Sequence, residues 1–465
     1  MKRDLRTIYP WEMVPTIFAL AWPTMLEQLL QTAVQYIDTA MVGSLGTQAT
    51  AAVGATTTVG WLVGSTISAL AIGFLAYISQ ADGAGDRAKV SRASSQAALA
   101  TLVVGLLFTA VCVGLSPMVP VWMQVDAGIR DLAATYFLIL YAPMLFRTAS
   151  IIFGTMLRAV GDTKTPMLVG VGVNITNVVL NFLLIYPTRQ ITLFGFTFTM
   201  IGAGWGVIGA AVASAIAFAV GGIAVTAAVW IHPRITFRGQ SLRPDWSVLR
   251  PCLKVALPNA LQRFGTSLGY VAFASMINAL GDVATAAHTI ANTVESAFYI
   301  PGYGMQTAAA TLAGNALGAN DNRKMKDLTR VIIKLEVFLM LLSGSLLFIF
   351  APGMMTLFTK DLEVIVLGAT VLRMVAVSEP FYGVSIIIEG MMQGVGETVT
   401  PFKFNILGMW GIRIVGTFIC TQILHFGLVS AWACMITHNL LLFVLFVMYY
   451  KKGRWNPMNT QTHSA

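Results

Sequence analysis

Twelve stretches of the chain are apolar over the roughly 20 residues that a helix needs to cross a bilayer. They lie near residues 13–41, 52–79, 94–116, 131–155, 166–187, 203–231, 252–278, 287–314, 328–350, 365–393, 402–424 and 427–450. Polar residues interrupt some of them at helical spacing. In the first, Gln28, Gln31, Gln35 and Asp38 fall at i, i+3, i+7 and i+10, which stacks them on one face. A carboxylate at membrane depth costs about 2.5–3.5 kcal/mol on insertion scales, so it normally faces protein or water. One polar face on an apolar span predicts a watered cavity; the plainer alternative sets Asp38 at the outer interface, where Gly43 and Gly46 begin a turn. The fifth span repeats the pattern with Asn174, Asn177 and Asn181. The eighth aligns His288, Asn292, Glu295 and Tyr299, with Gln306 returning to that face. The tenth aligns Ser378, Tyr382, Ser385 and Glu389, with Glu379 beside them.

Composition agrees with a membrane protein. Of 465 residues, 56 % are hydrophobic and 11 % charged, with a mean hydropathy of +0.74; soluble domains carry about 25 % charged residues. The net charge of +9 could suggest nucleic acid, but its placement follows topology. Of 29 Lys and Arg, 22 fall on one side of the predicted spans, including Lys2, Arg3, Arg6, Arg87–Arg92, Arg234–Lys254, Arg323–Lys334 and Lys451–Arg454. By the positive-inside rule both termini are cytoplasmic. The N-terminal residues lead into a span too long and polar for a signal peptide, which predicts an uncleaved anchor.

Other chemistry is sparse. Cys112, Cys252, Cys420 and Cys434 are scattered without CxxC spacing and read as small hydrophobes. The five histidines lie far apart, which argues against a membrane enzyme. No GxxxxGK[ST] loop is present, so ATP is not expected as the energy source. Some of the 23 methionines suit an adaptable apolar cavity.

The chain repeats itself at a shift of 235 residues. Phe146–Pro166 laid on Phe381–Pro401 gives ten identities in 21 positions, where chance gives about two. The same shift pairs Pro23 with Pro258, Gly83 with Gly318, Asp86 with Asp321 and Asp126 with Asp361. Each half holds an even number of spans, so the halves are parallel repeats, between which secondary transporters bind cargo. The expected division is an N-lobe of six helices at 1–231, a cytoplasmic linker at 232–250, a C-lobe of six helices at 251–450 and a cytoplasmic tail at 451–465.

The sequence resembles the multidrug and toxic compound extrusion (MATE) family. The matching residues are Pro23 with Ile37–Gly46, the turns GDTKTP (Gly161–Pro166) and GETVTP (Gly396–Pro401), Asn177–Asn181, Gly206–Ser214, Leu280–Ala291 and Gly314–Ala319. The resemblance covers essentially the whole chain. It implies an all-α membrane protein of twelve helices in two homologous six-helix bundles. It also implies antiport of organic cations, or other toxic amphipathic compounds, against inward sodium or protons by alternating access. Carried over residue by residue, the family's N-lobe ion site becomes Asp38, Asn177, Asn181 and Ser214, with Na⁺ as one candidate ligand of the first three. The carboxylates of the sodium-coupled branch's C-lobe site align with Thr266 and Tyr382, so that site is absent and coupling is assigned to the N-lobe.

For cargo, the expected contacts are Gln35, Asn292, Glu295, Tyr299 and Tyr382. Glu295 is the leading candidate for attracting a cationic drug, and pairing with Arg263 or Arg413 is its structural alternative. The reading is thus a monomeric exporter in the bacterial inner membrane, with no cofactor beyond its coupling ion and no nucleic-acid partner. The rival is a lipid-linked-oligosaccharide flippase of the same wider superfamily. That would need several cationic residues in its cavity, where only Arg147, Arg263 and Arg413 are available.

Overall fold

The computed structural model describes residues 10–461, apart from 124, 194 and 195. The basic cluster Lys2, Arg3 and Arg6 and the end of the tail from 462 lie outside the described residues. Twelve helical spans follow one another: α1 (Val14–Gly43), α2 (Thr47–Gly83), α3 (Arg87–Leu115), α4 (Arg130–Tyr141 and Met144–Ala159), α5 (Lys164–Leu184) and α6 (Gly206–Ile231). The second half supplies α7 (Trp246–Asn278), α8 (Asp282–Phe298 and Ile300–Gly318), α9 (Asn322–Thr356), α10 (Leu362–Gly394), α11 (Val399–Ile423) and α12 (Leu428–Lys451). Eight are long and apolar enough by themselves to cross a membrane, and the two parts of α4, bent by 45°, make a ninth. The bend falls at Pro143, which removes a backbone donor. Helices α1, α7 and α8 carry the polar residues that dilute their apolar character.

The sequence repeat reappears as repeated local chemistry. In the first turn motif Asp162 accepts from the Thr165 backbone N–H at 3.0 Å; in the second, Glu397 accepts from that of Thr400 at 2.9 Å. Gly161 and Gly396 precede them at φ +84° and +85°, a conformation that costs glycine nothing. Asp126 accepts from Gly128 N–H before α4, and its repeat partner Asp361 accepts from Glu363 N–H before α10. Such caps contribute about 0.5–2 kcal/mol each.

The chain forms two compact units. One comprises Leu26–Phe74 and Ala88–Leu249; the other comprises Met1–Met25, Leu75–Arg87 and Arg250–Ala465. The first is cored by Met41, Tyr136, Ile185 and Ala211. In the second, Ile17 and Ala21 of α1 pack with Met305, Ile332, Ile387 and Phe446. Within that second unit the ends of α2 and α8 cross without room for a side chain. A Cβ on Gly83 would land inside the Asn315 carbonyl, and one on Gly318 inside the Gln80 carbonyl. These residues are related by the same 235-residue shift, so the crossing has a local two-fold character. Gln80 also donates to the Gly394 carbonyl at 3.0 Å.

Two features depart from the sequence reading. An antiparallel hairpin, β1 (Pro187–Leu193) and β2 (Phe196–Ala203), joins α5 to α6 in an otherwise helical chain. The Cys420 and Cys434 sulfurs approach to 4.0 Å as free thiols, although the residues are separated in sequence and lie on α11 and α12.

Candidate functional site

In the first unit, α1 and α5 bring their polar faces together, and α6 closes the group. Asn181 Nδ2 donates to Asp38 Oδ1 at 2.5 Å, and Asn177 and Asn181 are buried. One end of the Asn177 amide lies 3.0 Å from Ser214 Oγ, and the other lies 2.8 and 3.2 Å from the two Asp38 oxygens. With its nitrogen towards Asp38, the amide donates to an ionised carboxylate and accepts from Ser214. With its oxygen there, it accepts from Asn181 at 3.1 Å and faces Asp38 comfortably only when a proton or cation lies between them. Asn174, one turn earlier, makes no hydrogen bond to the group among the described residues.

The carboxylate, both amide oxygens and the Ser214 hydroxyl are all hard oxygen atoms, and the buried Asn181 Oδ1 has no partner. Such a set suits a proton or a hard monovalent cation and offers nothing to a soft metal. Among the described residues no group of three His, Cys, Asp or Glu could hold a metal ion. The rest of the α1 stripe, Gln28, Gln31 and Gln35, is exposed. Glu27 lies off that stripe and accepts from Arg158 at 2.5 Å, an ion pair that the sequence did not suggest.

The second unit gathers different chemistry. Glu295 is buried and accepts from the Tyr299 hydroxyl at 2.8 Å. The Tyr299 ring meets Tyr382 edge-on, with centroids 5.3 Å apart. Among the described residues Glu295 has no ion pair with either arginine. Arg413 instead lies over the rings of Tyr270 and Phe273, at 5.2 and 5.4 Å. Asn292, one turn before the buried Glu295 on α8, is exposed. His288 accepts from Trp432 Nε1 at 3.2 Å and is edge-on to Phe273, a packed structural residue. Thr266, at an aligned carboxylate position, spends its hydroxyl on the Gln262 carbonyl one turn back. Glu389 is held by the Gln262 amide at 2.7 Å and the Asn405 amide at 3.3 Å.

The sequence reading missed Glu336 of α9 altogether. Its helical face carries only the hydroxyls of Thr329 and Ser343, seven residues to either side, a weaker signal than the amide stripe beside Asp38.

Twelve helical segments in two repeats, eight or nine of them among the described residues long and apolar enough to cross a membrane, define a multi-pass membrane protein of duplicated architecture. The MatE family model matches the chain twice, over residues 23–183 and 258–419, starting 235 residues apart, and the chain belongs to that family. It is 27 % identical over 450 residues to the probable multidrug resistance protein NorM of Thermotoga maritima, covering 96 % of this chain and 95 % of that one. To the multidrug resistance protein MdtK of Edwardsiella ictaluri it is 23 % identical over 424 residues, covering 86 % of each. A crystal structure of MATE in complex with MaL6 shares the fold at a TM-score of 0.86 and 21 % identity, covering 96 % of this chain and 97 % of the other.

Proposed function

We propose that this protein is a secondary active multidrug exporter that expels organic cations in exchange for sodium or protons by alternating access. The observation that carries the coupling is the Asp38 group, a single carboxylate with two amides and a hydroxyl and no cationic partner in hydrogen-bond contact. Relatives that cover nearly the whole chain bear multidrug-resistance names, which supports the substrate class. Against the flippase reading, Arg147 stacks on Phe218 at 5.0 Å and Arg413 on Tyr270 and Phe273, so both are engaged with rings. The protein works as a monomer in the plasma membrane with both termini cytoplasmic, and it catalyses no reaction. Expression in cells stripped of their own exporters tests the reading: a fluorescent cationic dye accumulates less than in control cells. Equal accumulation across a panel of cationic dyes contradicts it.

Asn177 and Asn181 are the ligands of the coupling ion beside Asp38. Hydrogen bonds to charged groups are worth about 1.5–3 kcal/mol each. Replacing both asparagines by leucine is therefore expected to raise the half-saturating ion concentration by about tenfold or more, a factor of ten being 1.4 kcal/mol. An unchanged half-saturation in correctly folded protein removes the two amides from the site.

Glu295, with Tyr299 and Tyr382 beside it, is assigned to the cargo, and Asn292, exposed one turn earlier on the same helix, to its polar contacts. At an effective dielectric of about 20, a unit-charge contact at 4 Å is worth about 4 kcal/mol before desolvation takes most of it back. Glu295→Gln should weaken binding of cationic dyes about tenfold and leave neutral ones nearly unchanged. Titration calorimetry with one dye of each kind reads the difference. Equal losses for both dyes, or none, remove Glu295 from the cargo site.

A further inference from the structure

The second unit has no counterpart of the Asp38 group: the repeat places Phe273, Ile412 and Gly416 where Asp38, Asn177 and Asn181 stand. It nevertheless holds two carboxylates that nothing else explains. Glu336 on α9 and Glu379 on α10 are each 0 % exposed, and none of their four carboxylate oxygens has a hydrogen-bond partner among the described residues. Glycines make the room for them. An ideal Cβ on Gly302 of α8 or Gly383 of α10 would sit 3.0 Å from Glu336 Oε1, and one on Gly344 of α9 would sit 3.5 Å from Glu379 Oε2.

The surroundings decide the ligand. Glu336 lies against Gly302 and Gly383, with Met340 and Ile386 packed at the same point of Gly302, and among the described residues no ion pair reaches it. Facing Glu379 from α8 are Glu295, close enough to repel it, and Tyr299, whose hydroxyl is already given to Glu295. Arg413 of α11 lies over the Tyr270 and Phe273 rings. The methionine and isoleucine side chains packed there carry no oxygen that a sodium ion could exchange for its hydration shell, and among the described residues no guanidinium or ammonium pairs with either acid. A proton needs no such shell; it neutralises a carboxylate in apolar surroundings by forming one O–H bond.

We propose that Glu336 and Glu379 are each a further proton-binding site, in the unit that lacks Asp38, each carboxylate taking one proton from water and returning it during the transport cycle. This rests on the reading of the chain as a cation-coupled exporter. The protein would then accept protons in both units, and coupling would not be confined to the first.

Infrared difference spectroscopy of the purified full-length protein in lipid, taken between acid and alkaline pH, tests this directly. The expected result is a carbonyl-stretch signal of protonated carboxyls that changes with pH and shifts in deuterated water. One component is lost in Glu336→Gln and another in Glu379→Gln. Glu336→Asp and Glu379→Asp should shift their components without deleting them, which keeps the assignment secure if a glutamine variant folds poorly. A signal that does not respond to pH marks permanently protonated structural acids and overturns the proposal. So does a signal that no variant at either position alters. Dye export by the wild type is read separately in the same lipid. Its absence would sink the exporter reading and leave the proton site standing, whereas export with a pH-insensitive carboxyl signal would sink the proton site alone.

Discussion

Asp38→Asn protein inserts and folds normally, yet its gradient-driven dye export falls at least about tenfold, to the level of liposomes without protein, a factor of ten being 1.4 kcal/mol. Asparagine keeps the size and the hydrogen-bonding reach of aspartate but carries no charge and takes no proton. Asn181 Nδ2 then meets a neutral amide in place of a carboxylate. Nothing else in the group can substitute, because Asn177, Asn181 and Ser214 do not ionise. Folding is expected to survive, since Asp38 is only half-buried and the substitution leaves no unpaired buried charge. Initial rates of dye uptake, normalised to protein recovered in the liposomes, provide the measurement. A wild-type rate in the variant means that coupling lies elsewhere.

Gly318→Ala is expected to destabilise the second unit by about 1–3 kcal/mol, the usual cost of an extra methylene in a packed interior. The upper end applies, because the obstacle is the Gln80 backbone carbonyl and not a side chain that could swing away. Gly83→Ala should cost a similar amount against Asn315, since the two contacts are repeat-related. Glycine is favoured at such crossings in membranes because close backbone approach supplies packing where no hydrophobic drive exists between helices. A control at Gly114, where a Cβ meets nothing within 4 Å, should be close to neutral. Thermal unfolding of the detergent-solubilised variants, followed by fluorescence, checks all three. A Gly318→Ala protein as stable as the Gly114→Ala control would mean that the helices do not cross so closely.

Much of the architecture was legible because bilayer physics constrains it strongly. The predicted first span, 13–41, matches Val14–Gly43, and the twelfth, 427–450, matches Leu428–Lys451. The 235-residue repeat announced both the matching caps at Asp126 and Asp361 and the paired turns. What the repeat could not reveal is packing partnership: residues 1–25 and 75–87 belong to the compact unit of the second half. Homology fixes which helices resemble one another, but each helix chooses neighbours by side-chain fit along its own length. The hairpin at 187–203 lies between two predicted spans, where Thr197–Phe198–Thr199 alternates with the period of a strand but over too few residues to stand out.

The site was legible where polar residues recur on one helical face. Asp38, Asn177 and Asn181 stood out by register, and Ser214 came from family resemblance; the structure joins all four. Asn292 shares the predicted face with Glu295 and is exposed, while Glu295 is buried. Glu336 has only Thr329 and Ser343 in its register on α9 and stands out through the glycines of the helices around it. Cys420 and Cys434 met for the same reason, through tertiary packing that spacing does not encode.

Proteoliposomes carrying the wild-type protein and a trapped cationic dye test the central claim most directly, with a sodium or a proton gradient imposed one at a time. The account predicts uphill dye movement that begins when one of these gradients is applied, stops when it is dissipated, and is missing with Asp38→Asn. Dye that moves only down its own gradient, whichever ion is supplied, would contradict cation-coupled export.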